Sequence, residues 1–199
     1  MNAKFVFGVG VNDWHSNVYV NRKPIWQYRL WINVLQRSFE KKIKEKYPSY
    51  KDVSCNPDWI YMSKFVKDVE SIENHDRFER DRWGFDKDIL VKGNKLYSAE
   101  TVCFVPKELN LLLTRSPKMR GDLPVGVHYN KLQKKYTARV RCGSEGHKAL
   151  GVYDDPISAF NAYKKAKEEY IKKVAERWKG IVANNVYEAL MNYEVSIDD

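Results

Sequence analysis

The chain has 199 residues, of which 43% are hydrophobic and 14% aromatic, enough to bury one sizeable core or two to three small ones. No apolar run reaches the roughly 20 residues of a membrane helix, and the first residues lack the charged-then-apolar order of a secretion signal. We therefore expect a globular cytoplasmic protein with no membrane partner. Lysine plus arginine number 35 against 26 acidic residues, an excess that weakly favours a polyanionic partner.

The three cysteines, Cys55, Cys103 and Cys142, are far apart and include no Cys-x-x-Cys pair. No histidine lies near them at the spacing of a metal site. We expect reduced, mostly buried thiols in preference to a structural zinc ion.

Helices dominate the predicted N-terminal part. Turn-forming residues among the first twenty predict a turn or a strand-turn-strand entry segment. Apolar residues recur at steps of three and four from Ile25, which predicts an amphipathic helix over 25–46 with Pro24 near its first turn. A second helix is predicted from Asn56 to about residue 70, followed by a solvated charged connection over 73–82. The basic residues of the first helix lie on its far face: Arg29, Arg37, Lys41, Lys42 and Lys44.

Short apolar runs alternate with turn residues in the middle of the chain. We expect a strand over 89–91, a turn over 92–95, a turn or short helix over 98–100, and a strand over 102–105. Residues 109–113 are predicted to be core. Residues 116–123, rich in proline, glycine and alternating charge, predict a linker between an α-rich part over 1–115 and a domain over 124–180. Residues 181–199 then form a tail or a short helix.

Three strands and a long helix are predicted in the C-terminal domain. The strands are expected over 125–129, 135–142 and 147–153, and the helix runs from an Asp155-Pro156 cap to about Trp178. In the second strand, one face carries Tyr136, Ala138 and Val140, and the other carries Lys135, Thr137, Arg139 and Arg141. The helix has an apolar stripe to cover the first face: Ala159, Ala162, Tyr163, Ala166, Tyr170 and Val174.

The uncovered face of this sheet is predicted to be cationic. Residues 124–150 contain one acid, Glu145, and six basic residues: Lys131, Lys134, Lys135, Arg139, Arg141 and Lys148. Such a face can neutralise phosphates, and guanidinium groups on strands can contact guanine edges in a major groove. A solvated polar face is the alternative on this pattern alone.

The same region resembles the ethylene-response-factor DNA-binding domain of plants and its phage relatives. The resemblance rests on Pro124-Val125-Gly126-Val127, Lys135-Tyr136-Thr137-Ala138-Arg139-Val140, Leu150-Gly151-Val152-Tyr153-Asp154-Asp155 and Ala159-Phe160-Asn161-Ala162-Tyr163. It implies that the sheet lies in the major groove of double-stranded DNA. Arg139 and Arg141 would contact bases or phosphates, with Tyr136 in the core. The resemblance assigns phosphate contacts to four lysines: Lys131, Lys134, Lys135 and Lys148.

Residues 86–110 resemble the core of HNH homing endonucleases. The order Asp86-Lys87-Asp88, Gly93-Asn94-Lys95, Phe104-Val105-Pro106 and Asn110 supports that resemblance. It implies a ββα scaffold with catalytic positions at Asp86, Lys87 and Asp88. One divalent cation such as Mg²⁺ would be held by Asp86 and Asn94, with Ser98 nearby.

Lys87 occupies the position where this chemistry needs a base. A lysine ammonium is protonated at neutral pH and cannot take a proton from water, and none of the four histidines, His15, His75, His128 and His147, falls inside the motif. We therefore expect a catalytically degenerate scaffold on a phage-type DNA-binding protein, located in the host cytoplasm. Two alternatives stay open: an active metal-dependent endonuclease in which Asp88 serves as base, and a small protein that binds an acidic host protein or RNA.

Taken together, the sequence predicts an α+β fold. It consists of an α-rich N-terminal part, an HNH-like ββα core, and a three-stranded antiparallel sheet packed on one long helix. The tryptophans could stack on unpaired bases, but most have the spacing of packing residues: Trp14, Trp26, Trp31, Trp59, Trp83 and Trp178.

Overall fold

A computed structural model describes residues 5–113, 122–143 and 146–199. The chain divides into two compact units, one ending at Lys107 and the other beginning at Glu108. Helices and strands both contribute, so the predicted α+β class is confirmed. Most of the predicted linker, 116–123, lies outside the described residues. No helix in the described ranges is long and apolar enough to cross a membrane.

The first unit begins with a small hairpin and two helices. Strands β1 (Tyr19–Val20) and β2 (Lys23–Pro24) pair antiparallel, and α1 (Trp26–Phe39) and α2 (Lys41–Lys46) follow. The prediction of one continuous helix over 25–46 is wrong, because Glu40 is extended with ψ 111°. Only Ile43 is apolar between 40 and 46, so no buried stripe favours one continuous helix there.

The second predicted helix also starts differently. Asn56 accepts a hydrogen bond from the Asp58 backbone N–H at 2.9 Å, as expected of a cap. The turn after it, Pro57–Ile60, is a 3₁₀ helix, however, and α3 (Met62–Glu70) begins after the extended Tyr61. A 3₁₀ turn, Pro48–Tyr50, also follows α2.

Aromatic residues fill the core of this unit. Trp31 and Trp59 are fully buried, and the Trp31 Nε1–H donates to the Trp59 carbonyl at 2.7 Å. The charged stretch 73–82 is partly packed, not simply solvated: it forms α4 (Arg77–Arg80), and the His75 ring stacks on Trp26 at 6.2 Å. Each of the six tryptophans is buried or half-buried, as expected of packing residues.

Two strand pairs hold the middle of the chain. Strand β3 (Ser54–Cys55) runs parallel to β5 (Leu96–Tyr97), and β4 (Gly84–Asp86) runs antiparallel to β6 (Cys103–Val105). The predicted strand over 102–105 is confirmed, and 98–101 forms a turn. The predicted strand over 89–91 is wrong. One carboxylate oxygen of Asp86 accepts the backbone N–H groups of Asp88 and Ile89, at 2.7 and 2.9 Å, and turns the chain there.

The cysteines are free, as predicted. Cys55 and Cys103 are buried and Cys142 is half-buried. Burial raises the pKa of both buried thiols, so neither has the character of a reactive thiolate.

The second unit contains the predicted sheet and helix. Helix α5 (Lys107–Leu112) spans the division and buries Leu109 and Leu112, whereas Leu111 is exposed, so the predicted core segment 109–113 is only partly buried. Strands β7 (Val127–Asn130), β8 (Lys135–Arg141) and β9 (His147–Tyr153) form an antiparallel sheet in that order. Helix α6 (Pro156–Arg177) packs on this sheet, and α7 (Asn184–Met191) packs on α6.

A side-chain cap begins helix α6, and one glycine allows the helix to approach the sheet closely. The Asp155 carboxylate accepts the N–H groups of Ile157 and Ser158 at 2.9 and 2.8 Å. Gly126 has φ +77°, and a Cβ there would lie 2.0 Å from the Tyr163 ring. Glycine therefore allows the close approach of β7 and α6. The predicted stripe of α6 is buried or half-buried throughout, and it is extended by Phe160, Ile171 and Ala175.

Candidate nucleic-acid interface

The three-stranded sheet has one covered face and one free face. On β8, Ala138 and Val140 are 0% and 1% exposed, whereas Arg139 and Arg141 are exposed. The alternation predicted from the sequence is therefore confirmed. Because directly paired residues of an antiparallel sheet point to the same side, the strand register defines the outward face. It comprises His128, Asn130, Lys135, Thr137, Arg139, Arg141, His147, Ala149 and Val152.

The outward face carries two exposed arginines on its central strand. Arg139 pairs with Ala149 of β9. Because the alanine side chain is small, it does not crowd the Arg139 guanidinium. Lys135 differs, because its Nζ lies 2.8 Å from the Asp154 carboxylate. Both side chains of this ion pair are exposed, so the pair contributes little to stability. Among the described residues, neither arginine forms an ion pair with a carboxylate.

A β-bulge separates Lys148 from the arginines. The register shifts between Ala138 and Arg139, which leaves Leu150 as the extra residue of β9 and pairs Lys148 with Val140. Lys148 is exposed on the edge strand, but it belongs to the Val140 side of the sheet. The sequence prediction missed this shift. Gly151, with φ +141°, was the available signal, because an isolated glycine in a strand often marks a bulge.

The hairpin between β7 and β8 presents two further lysines. The Asn130 side-chain oxygen accepts the N–H groups of Leu132 and Gln133 at 3.0 and 3.2 Å, and Lys134 takes φ +52°. Lys131 and Lys134 are exposed on this ordered turn, and Leu132 at its tip is 97% exposed. The turn therefore extends the cationic surface beyond the strands.

The segment that resembles an endonuclease core forms a hydrogen-bonded loop over 86–96. Lys87 is only 6% exposed, and its Nζ donates to the Asp88 carboxylate and to the Asn94 carbonyl. The Asn94 side-chain amide donates to the carbonyls of Lys87 and Leu96, and its oxygen accepts the Leu96 N–H. We call these contacts the loop network. Lys87, Asp88 and Asn94 are thus brought together, but mainly by contacts that hold the loop's own conformation.

Burial controls the ionisation of the neighbouring groups. It raises the pKa of Asp86, although the N–H groups of Asp88 and Ile89 oppose the shift. It also raises the pKa of Tyr97, whose hydroxyl accepts a hydrogen bond from Arg37 at 2.9 Å. The Asp86 carboxyl group therefore ionises less readily than that of an exposed aspartate.

These residues do not fit the metal that the resemblance implies. One Asp86 oxygen already accepts two backbone N–H groups, and the Asn94 amide is engaged at both its nitrogen and its oxygen. The Ser98 hydroxyl contacts that of Thr101 at 3.2 Å. Within 5–113, 122–143 and 146–199, no three His, Cys, Asp or Glu side chains are grouped so as to hold a metal ion. The loop also contains no imidazole, and no step of catalysis follows from it.

Comparison with known proteins adds no assignment. No family model, curated protein or solved structure matches the chain. Both resemblances therefore stay predictions, and the evidence for function lies in the geometry of the sheet and the loop.

Proposed function

We propose that this protein binds duplex DNA by laying the outward face of its sheet in the major groove. The proposal rests on one observation: Arg139 and Arg141 are exposed on the central strand and, among the described residues, have no carboxylate partner. Guanidinium groups form bidentate hydrogen bonds with O6 and N7 of guanine, and this pairing is the commonest specific contact in the major groove.

The dimensions of the sheet suit that groove. Three strands about 4.8 Å apart span roughly 10 Å, close to the groove width of about 12 Å. Arg139 and Arg141 are two residues apart, which corresponds to about 7 Å along a strand. Two base-pair steps have nearly the same length, at about 3.4 Å each. The two guanidinium groups can therefore contact bases two steps apart.

The lysines around the sheet supply phosphate contacts. Lys131 and Lys134 lie on the hairpin and Lys135 at the adjoining end of the central strand, where a groove-bound sheet meets a backbone, whereas Lys148 lies on the Val140 side and is not part of the outward face. If these three lysines each neutralise a phosphate, the logarithm of affinity falls against the logarithm of salt with a slope of about −2.7. Such contacts fix the position of the sheet, and the arginines select the sequence.

DNA cleavage forms no part of this proposal. Lys87, at the position of the missing base, is buried and engaged in the loop network. The first unit thus serves as a scaffold in a DNA-binding protein, in line with its resemblance to a degenerate endonuclease. An active endonuclease, and a protein that binds RNA or an acidic protein, are outcomes that the experiment below separates.

The experiment compares the wild-type chain with Arg139→Ala/Arg141→Ala by fluorescence anisotropy on a pool of mixed duplexes. The matched control is Lys172→Ala/Lys173→Ala, which removes the same charge from exposed positions of α6. We expect the arginine variant to lose at least about tenfold in affinity, on the order of one to two kcal/mol, and the control to change little. Equal losses in both variants would refute recognition by the outward face.

The same samples are run on a gel with and without Mg²⁺ or Mn²⁺, beside a single-stranded RNA of equal length. A shift without nicks supports the proposal. Metal-dependent nicks would establish the endonuclease instead. Tighter binding to RNA than to duplex DNA would favour the third function.

A further inference from the structure

We propose a second DNA-binding surface on the first unit, which contacts the phosphate backbone without selecting a sequence. This surface, the lysine patch, consists of the exposed Lys41, Lys42 and Lys46 of α2 together with Lys51 and Lys95 at the 3₁₀ turn that follows it. The inference rests on the proposed function and extends it, because it assigns duplex DNA as the ligand of both units.

Helix α2 contributes little to the core. None of its six residues is buried. A helix of this length is unstable alone, since isolated helices shorter than about 12 residues are marginal in water. It is held by contacts at its ends and one side chain: the Tyr47 N–H donates to the Ile43 carbonyl at 2.9 Å, and Lys44 Nζ donates to the Val53 carbonyl at 2.9 Å.

Its charge pattern is unfavourable without a partner. Residues 40–52 contain five lysines and three acids, Glu40, Glu45 and Asp52, of which only Glu45 lies between the lysines of α2. Lys42 and Lys46 are four residues apart on one helix face, where like charges repel. Glu45 compensates weakly, since it lies 3.9 Å from Lys41 and both side chains are mostly exposed. A bound polyanion would remove this repulsion, and solvent alone only screens it.

The fold adds a lysine that is remote in sequence. Lys95 Nζ donates to the Ser49 carbonyl at 3.5 Å, and the Ser54 N–H donates to the Lys95 carbonyl at 2.9 Å. These contacts bring Lys95 to the 3₁₀ turn that follows α2. Chain sections more than 40 residues apart thus contribute to one cationic surface.

The chemistry of the patch fits phosphates better than base edges. Its charges are ammonium groups, which bind phosphate as point charges and lack the planar fork that selects guanine. The nearby Arg37 is half-buried, with its guanidinium over the Tyr50 ring at 5.3 Å. Tyr47 is 43% exposed beside Lys46 and can donate its hydroxyl to a phosphate oxygen. Contacts of this kind strengthen binding to all sequences equally.

The test uses the full-length chain with Lys42→Gln/Lys46→Gln. The matched control, Lys23→Gln/Lys67→Gln, removes two exposed lysines elsewhere in the same unit. Affinity for two unrelated duplexes and for a single-stranded RNA of equal length is measured over a range of salt concentrations, with circular dichroism as the check on folding. We expect the slope of log affinity against log salt to become shallower by about two, equally for both duplexes, and the control to match the wild type.

The outcomes separate this inference from the proposed function. Wild-type behaviour of the patch variant would overturn the patch, whatever the arginine variant does. A loss in the patch variant with wild-type binding by Arg139→Ala/Arg141→Ala would support the patch and refute the sheet proposal. Weaker binding to RNA with unchanged duplex affinity would also overturn the inference, because the ligand would then be RNA.

Discussion

Replacing Lys87 by methionine separates a structural lysine from a catalytic one. Methionine has a stem of similar length in the buried site but lacks the ammonium, which donates to Asp88 and Asn94. A hydrogen bond from a charged donor contributes about 1.5–3 kcal/mol. The Asp88 side chain is 55% exposed, so that contact belongs at or below the lower end of the range. Removal of the buried ammonium offsets part of the loss, and we expect a net destabilisation of about 1–3 kcal/mol.

Urea unfolding followed by tryptophan fluorescence is the appropriate assay. Five of the six tryptophans belong to the first unit, so the signal reports mainly on the unit that contains the loop. Lys67→Met, at an exposed position of α3, is the control and should leave the midpoint near that of the wild type. Unchanged stability together with the loss of a metal-dependent nicking activity would refute the structural role and make Lys87 catalytic.

Two further predictions concern Gly126 and Asp86. Gly126→Ala places a Cβ against Tyr163 at φ +77° and should cost about 2–4 kcal/mol in thermal unfolding of the second unit, from backbone strain plus overpacking. Burial raises the folded-state pKa of Asp86, so its contribution to stability is complete below its unfolded value near 3.8 and is lost as pH rises through the folded value. In urea titrations at a series of pH values, the stability of Asp86→Asn relative to the wild type should therefore increase as the pH rises above about 3.8.

Each of these has a control within the chain. If the alanine at Gly126 meets the Tyr163 ring, then Gly126→Ala/Tyr163→Ala should cost less than the sum of the two single changes. Additive costs would contradict the contact. For Asp86→Asn, a difference in stability from the wild type that stays constant across the pH range would mean that burial does not shift the pKa of the Asp86 carboxyl.

The C-terminal unit was the more predictable part of the fold. The strict alternation of Tyr136, Ala138 and Val140 with polar or charged residues defines both faces of β8 from the sequence alone. Asp155 followed by Pro156 likewise marks the start of α6. These signals are local, because each depends on residues within one element.

The features that sequence reasoning missed depend on particular side-chain hydrogen bonds and on strand pairing, which the pattern of residue types does not show. The turn after Asp86 arises from its side chain capping two backbone N–H groups, which outweighs the strand character of 89–91. The side of the sheet to which Lys148 belongs depends on a bulge in the pairing of β8 and β9. Lys87 was predicted as a substituted catalytic position, and only the folded loop supplies its partner at Asn94.

Methylation interference at guanine N7 tests the central claim most directly, because N7 lies in the major groove. Duplexes selected by the wild-type chain from a random pool are methylated, and the bound and free fractions are compared. We predict interference at specific guanines with the wild type, and its loss with Arg139→Ala/Arg141→Ala. Tight binding by the wild type without interference at any guanine N7 would contradict recognition through the outward face.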